Sequence, residues 1–295
     1  MCVYSWRDAP YIHFSCVMRH IKENMVNLDP KKLLELGGHF GHKVSRTNPK
    51  AKKYVYTAQS GISIIDLFKT VELGERAAKK LESAGVEGKT LLVIASKKVA
   101  KNIVAKQCEE NTVPYLCEKW VGGFFSNFEE IHKNIQKAND WIEAQKTGGW
   151  DHMLKHERVK LEKELHKVLK VYKGVLKLDK IPDAVLIVDV KKEKNALNES
   201  MKVQERQRLQ GIDQLMSFAI LDTNVNPDVV QYPVMINDDT EQTIEYMFTY
   251  LLDAYINGRK KFQASEDKRI AAEEKKAEKV KKAQEIAEKK IHEKP

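Results

Sequence analysis

Thr90-Leu91-Leu92-Val93-Ile94-Ala95, followed by Ser96-Lys97-Lys98-Val99-Ala100, is an apolar run that gives way abruptly to a lysine-rich segment. The run has no polar alternation, which is how a strand buried on both faces reads. Ser96 then stands as the N-cap of a helix with Lys97, Lys98, Lys101 and Lys106 on its polar side. Val113-Pro114-Tyr115-Leu116 reads as a further short strand. The same grammar returns downstream. Asp183 to Asp189 is a second buried strand, followed by a charged helix from Asn195 to Leu209. Phe218 to Asp222 and Tyr232 to Ile236 are two more strands. Asp238-Asp239 caps a last helix that turns Ile244, Met247, Phe248, Leu251, Leu252 and Tyr255 inward. Strands alternating with helices predict an α/β fold with a doubly wound parallel sheet.

Upstream, Asp29-Pro30 predicts a helix start and Gly37-Gly38 its stop. His39 to His42 reads as a turn, and Lys43 to Lys53 as a basic loop. Two short strands follow around Ser60-Gly61, then a helix from Asp66 to Ser83. Between the two halves of the core the grammar breaks. Asn127 to Ala144 and Lys155 to Tyr172 have helical period, and Thr147-Gly148-Gly149 turns between them. They predict a protruding antiparallel helical hairpin. The chain thus divides into an N-terminal extension (1–28), a first part of the core (29–126), the hairpin (127–173), a second part of the core (174–257) and a Lys/Glu-rich tail (258–295). The tail reads as a solvated single helix or a disordered segment. The extension reads as disordered, as a start placed upstream of Met25, or as an organellar targeting segment.

Composition narrows the function. The 295 residues carry 51 Lys and Arg against 42 Asp and Glu, a net charge of +9 that suits a polyanionic partner. No apolar run approaches the ~18 residues of a membrane span. Cys2, Cys16, Cys108 and Cys117 form no Cys-x-x-Cys pair, which excludes a zinc ribbon and fits a reducing compartment. A nucleotide-binding enzyme on this fold class needs phosphate-binding glycines, yet the first strand leads into Ser96-Lys97-Lys98. No cofactor, small-molecule substrate or catalytic residue is assigned. His39, His42, Asp189, Asp222 and Asp228 are weak metal candidates, because acids and histidines converge at strand ends. A protein-interaction module with a coiled-coil arm is a rival reading. The stronger signal is basic loops with interleaved aromatics. Arg46, Asn48, Lys50, Lys52 and Lys53 lead into Tyr54, Lys97, Lys98 and Lys101 begin a helix, and Lys119 precedes Trp120 and Gly122-Gly123. These are the predicted RNA contacts.

Leu36-Gly37-Gly38-His39-Phe40-Gly41-His42, Arg46-Thr47-Asn48-Pro49-Lys50 and Ile64-Ile65-Asp66-Leu67 resemble the N-terminal signature of the bacterial-type small-subunit ribosomal protein two family. Lys119-Trp120-Val121-Gly122-Gly123, Pro182-Asp183-Ala184, Asp222-Thr223-Asn224 and Ile236-Asn237-Asp238-Asp239 continue the match in order, from about Leu28 to Arg259. The resemblance implies a flavodoxin-like core and a structural, non-catalytic role in translation on the small ribosomal subunit. It implies rRNA and neighbouring small-subunit proteins as partners, ribosomal protein one among them in bacteria. The compartment it implies is a bacterial cytoplasmic ribosome, with an organellar one as the alternative. Lys119 stands where the family has Arg, and the helix around Asn198 to Gln210 diverges.

Overall fold

The computed structural model describes residues 28–150 and 152–292. Along the chain run α1 (Pro30–Glu35), β1 (Phe40–Lys43), β2 (Val55–Gln59), β3 (Ile62–Ile65), α2 (Leu67–Val86), β4 (Leu91–Ile94), α3 (Lys98–Glu110), β5 (Tyr115–Leu116), α4 (Phe128–Lys146), α5 (Lys155–Tyr172), β6 (Ala184–Val188), α6 (Lys194–Gln210), β7 (Met216–Leu221), β8 (Tyr232–Met235) and α7 (Glu241–His292). The main sheet has the order β5-β4-β6-β7-β8, with every neighbouring pair parallel. Counted within the sheet this is 2-1-3-4-5, the flavodoxin-like order, whose topological switch point lies between β4 and β6.

The unbroken apolar runs are explained by two cores, one on each face of the sheet. Leu91, Val93, Leu186, Phe218 and Ile220 face Leu81 of α2, Val104 of α3 and Phe248 and Leu251 of α7. Leu92, Ile94, Val185, Ile187 and Leu221 face Ile131 and Ile135 of α4 and Ala196 and Leu197 of α6. With helices on both faces every position of β4 to β7 in this sheet is buried, so no polar alternation survives. The segment between β5 and β6 carries α4, with Ile131, Ile135 and Ala138 buried, and α5, with Leu165 buried.

A second sheet, antiparallel in the order β1-β3-β2, sits beside the first. Here the reading of His39 to His42 as a turn is corrected, because Phe40–Lys43 is the strand β1, with Phe40 opposite Ile64. Gly41 makes that path possible. A Cβ there would stand 2.8 Å from Thr223 Cγ2 and 2.9 Å from the Ser63 carbonyl oxygen. Asp29 caps α1 by accepting from Lys31 N at 2.9 Å, and Gly37 closes it at a φ of +77°. The basic loop forms two short 3₁₀ turns, Val44–Arg46 and Pro49–Tyr54. Leu28 belongs with the core rather than the extension, because it is buried in the first of the two clusters. The rest of that extension lies outside the described residues. At the other end, α7 runs without a break through Gly258, the expected start of the tail. Gly85 and Gly258 let α2 and α7 touch backbone to backbone.

Candidate nucleic-acid interface

The ends of β4 and β6 form the crevice in which doubly wound folds hold their ligands. In this chain a network of its own ions fills it. Lys97 Nζ lies 2.7 Å from Asp238 Oδ1, 2.7 Å from Asp239 Oδ1 and 3.4 Å from Asp189 Oδ2. The Lys97 side chain is 16% exposed and that of Asp238 only 2%. Burial works against the ammonium, but the three carboxylates outweigh it and raise its pKa. Burial, with Asp189 as a like charge nearby, pushes Asp238 up to about 7. Asp239 is more open, and Lys97 holds it below the usual carboxylate range against the effect of burial. Asp189 takes a left-handed backbone (φ +63°) to bring its side chain in.

Two sequence expectations are corrected here. Ser96 does not cap α3; the N-cap position is Lys97, with no side-chain cap. The Ser96 amide and hydroxyl both donate instead to the buried Glu193 carboxylate, and Lys192 donates to the Ser96 carbonyl oxygen. Lys97 faces inward rather than outward, because burying Asp238 and Asp189 without a cation would leave two uncompensated charges.

Of the metal candidates, His42 and Asp222 come together. His42 Nδ1 is 2.6 Å from Asp222 Oδ2, and Nε2 is 2.9 Å from Asn224 Nδ2 and 3.9 Å from Asp239 Oδ2. His42, Asp222 and Asp239 offer the donor types that hold a divalent cation. Both imidazole nitrogens nevertheless have hydrogen-bond partners already. Nδ1 is engaged by the Asp222 carboxylate and Nε2 by the Asn224 carboxamide. Burial raises the Asp222 pKa, opposed by the Thr223 amide and His42. His39 stays apart, its ring 3.9 Å from that of Phe40 and its pKa lowered by burial. Asp189 serves Lys97, and Asp228 serves Lys53 at 2.8 Å and Lys50 at 3.7 Å.

The predicted RNA contacts divide by what their side chains touch. Arg46 and Lys52 are exposed on the two 3₁₀ turns and have no ion pair among the described residues. Lys98, at the start of α3, and Lys119 share that state. Lys50 and Lys53 meet at Asp228, with Lys53 Nζ also 5.1 Å from the Tyr54 ring centre. Lys101 pairs with Glu118 at 2.6 Å. Asn48, expected to reach sugar or base, caps the second turn with Oδ1 accepting from Lys50 N at 2.9 Å. Its backbone N–H donates to the Thr223 carbonyl oxygen at 2.8 Å, which ties the loop to the end of β7.

Sequence reasoning missed Glu199. From α6 its Oε1 accepts from Trp120 Nε1 at 3.1 Å and from Gly123 N at 2.9 Å. It thereby holds the loop that carries Lys119, while Trp120 packs against Phe124 and Phe125. An acid on a charged helix carries no signal of a partner 76 residues away.

The fold is thus a doubly wound scaffold whose crevice holds its own ion network, with exposed cations on the turns beside it. Residues 33–258 match the family model described as Ribosomal protein S2. Curated relatives named "Small ribosomal subunit protein uS2" agree. That of Coprothermobacter proteolyticus is 36% identical over 247 residues, covering 83% of this chain and 88% of the relative. That of Chloroherpeton thalassium is 37% identical over 233 residues (79% and 89%). That of Synechocystis sp. is 37% identical over 227 residues (77% and 81%). The chain belongs to the ribosomal protein S2 family of the small subunit, a structural family involved in translation and not an enzyme. No helix among the described residues is long and apolar enough to cross a membrane.

Proposed function

We propose that this chain is a structural constituent of the small subunit of a bacterial cytoplasmic ribosome, docking onto small-subunit rRNA by neutralising phosphates. The observation that carries the reading is that Arg46, Lys52, Lys98 and Lys119, four of the sequence-predicted contacts, are exposed with no ion pair among the described residues. A cation without an internal carboxylate gives its full charge to a phosphate and releases a counterion from the RNA. Lys50 and Lys53, which share Asp228, and Lys101, which keeps Glu118, add to the same field. Lys97 is left out of the contact set. Lys52 stands on a turn pinned by Asn48 and Pro49, so little ordering entropy opposes docking there.

The chain also braces neighbouring ribosomal proteins, ribosomal protein one among them. In this reading α4 and α5 pack as a projecting antiparallel arm. Successive helices of 19 and 18 residues with narrow apolar seams support it. Gel shifts against small-subunit rRNA between low and moderate salt test the docking. Binding should weaken steeply with salt. Arg46→Glu/Lys52→Glu should lower the log–log slope by roughly 0.7–0.9 for each phosphate no longer neutralised. Binding that is absent, or indifferent to salt, refutes it.

A further inference from the structure

The distal half of α6 carries surface that the core does not use. Ala196, Leu197, Ser200 and Val203 seat the helix on the sheet. On its outer side Met201 is 41% exposed and Leu209 83%. Lys202, Arg206 and Arg208 lie on this half-helix too, with no ion pair among the described residues. Between this half-helix, Gln214 and the turn Pro227–Val229 lies a groove of about 650 Å³. Lys202 and Arg208 line it as cations, Asn198 and Gln214 as amides, and Met201 and Val229 as aliphatic walls. Glu205 lines it as well, and so does Asp228, the carboxylate that holds Lys53 and Lys50. Asp228 thus stands between the groove and the basic loop.

We propose that this groove seats an unpaired stretch of RNA, with phosphates on Lys202 and Arg208 and base edges on Asn198 and Gln214. The chemistry separates this occupant from a duplex. Carboxamides both donate and accept, so they read the edges of splayed bases, while Met201 and Val229 supply apolar area to base faces. A phosphate-only surface for a helix would need neither. Lys202 and Arg208 have no ion pair among the described residues, and Lys50 and Lys53 lie just beyond Asp228, so the cations on offer favour a polyanionic strand over a peptide. The inference rests on the rRNA-docking reading and adds to it a second, single-strand site.

The test uses the full chain and fluorescence anisotropy. The probes are a labelled mixed-sequence oligoribonucleotide of about 12 nucleotides and the duplex of the same sequence. The unpaired probe should bind more tightly than the duplex. Lys202→Glu/Arg208→Glu should weaken it by about tenfold or more at low salt, since two phosphates go unneutralised. Lys202→Gln/Arg208→Gln should weaken it less, with an unchanged circular dichroism spectrum. A thiouridine-substituted probe should crosslink to the peptide containing Met201. Unchanged binding of the Glu pair, a preference for duplex, or crosslinks elsewhere overturns the groove. If Arg46→Glu/Lys52→Glu still weakens rRNA binding in that case, the docking reading survives alone. If the unaltered chain binds no RNA, both fail.

Discussion

Lys97→Met removes the cation that Asp189, Asp238 and Asp239 share. Asp239 is 63% exposed, so water replaces much of what it loses. Asp238 is 2% exposed and 2.7 Å from the ammonium, and stripping one partner from such a pair costs about 3–5 kcal/mol. The loss depends on pH. A carboxylate with a raised pKa keeps in the folded state a proton that the unfolded chain has released, so stability falls as pH rises from about 4 to the folded pKa. With Lys97 present that upper bound for Asp238 is about 7. Without Lys97 the pKa rises further, because burial and Asp189 then act unopposed. At about pH 8.5 the variant should lose ~3–4 kcal/mol, and at about pH 5.5, where Asp238 is largely neutral in both proteins, about half as much. Urea denaturation of both proteins at the two pH values reads the difference. Adding Asp238→Asn should recover most of the loss at the higher pH. A loss below ~1 kcal/mol, or one equal at both pH values, refutes the reasoning and returns Lys97 to the surface as a phosphate contact.

Glu199→Ala should destabilise by about 1–3 kcal/mol and shift Trp120 fluorescence, because Trp120 Nε1 and Gly123 N are left without their acceptor. Glu199→Gln keeps an acceptor oxygen and should lose less; equal losses would deny that the hydrogen bonds matter. Gly258→Ala should gain ~1 kcal/mol if helix propensity decides, yet its Cβ would overlap the Glu82 carbonyl oxygen where α2 and α7 cross. A net loss of about 1–3 kcal/mol in thermal or urea unfolding is therefore the expected result, and a stabilised variant would contradict the close crossing.

The strands that build the parallel sheet are legible in the sequence because burial on both faces leaves a mark that depends only on local residues: Leu91–Ile94 and Ala184–Val188 are apolar at every position. The cap at Asp29-Pro30 is legible for the same reason. The interactions that decide the site are not. Lys97 reads as a surface lysine until the fold brings Asp238 to it from 141 residues away. His42 meets Asp222 across 180 residues, and β1 exists only because β3 pairs with it. Asn48 shows the converse. Its amide suits an RNA sugar or base, and an Asn before a Pro is also well placed to cap its own turn, as Oδ1 does here. Exposed cations on turns are legible as a group, but which of them the protein pairs internally depends on long-range packing.

The most direct test of the central claim is sucrose-gradient sedimentation of native lysate, probed for this chain at moderate and high salt. Co-migration with the small ribosomal subunit at moderate salt, weakened by Arg46→Glu/Lys52→Glu, is the predicted result. A chain that stays at the top of the gradient in every condition would contradict the account.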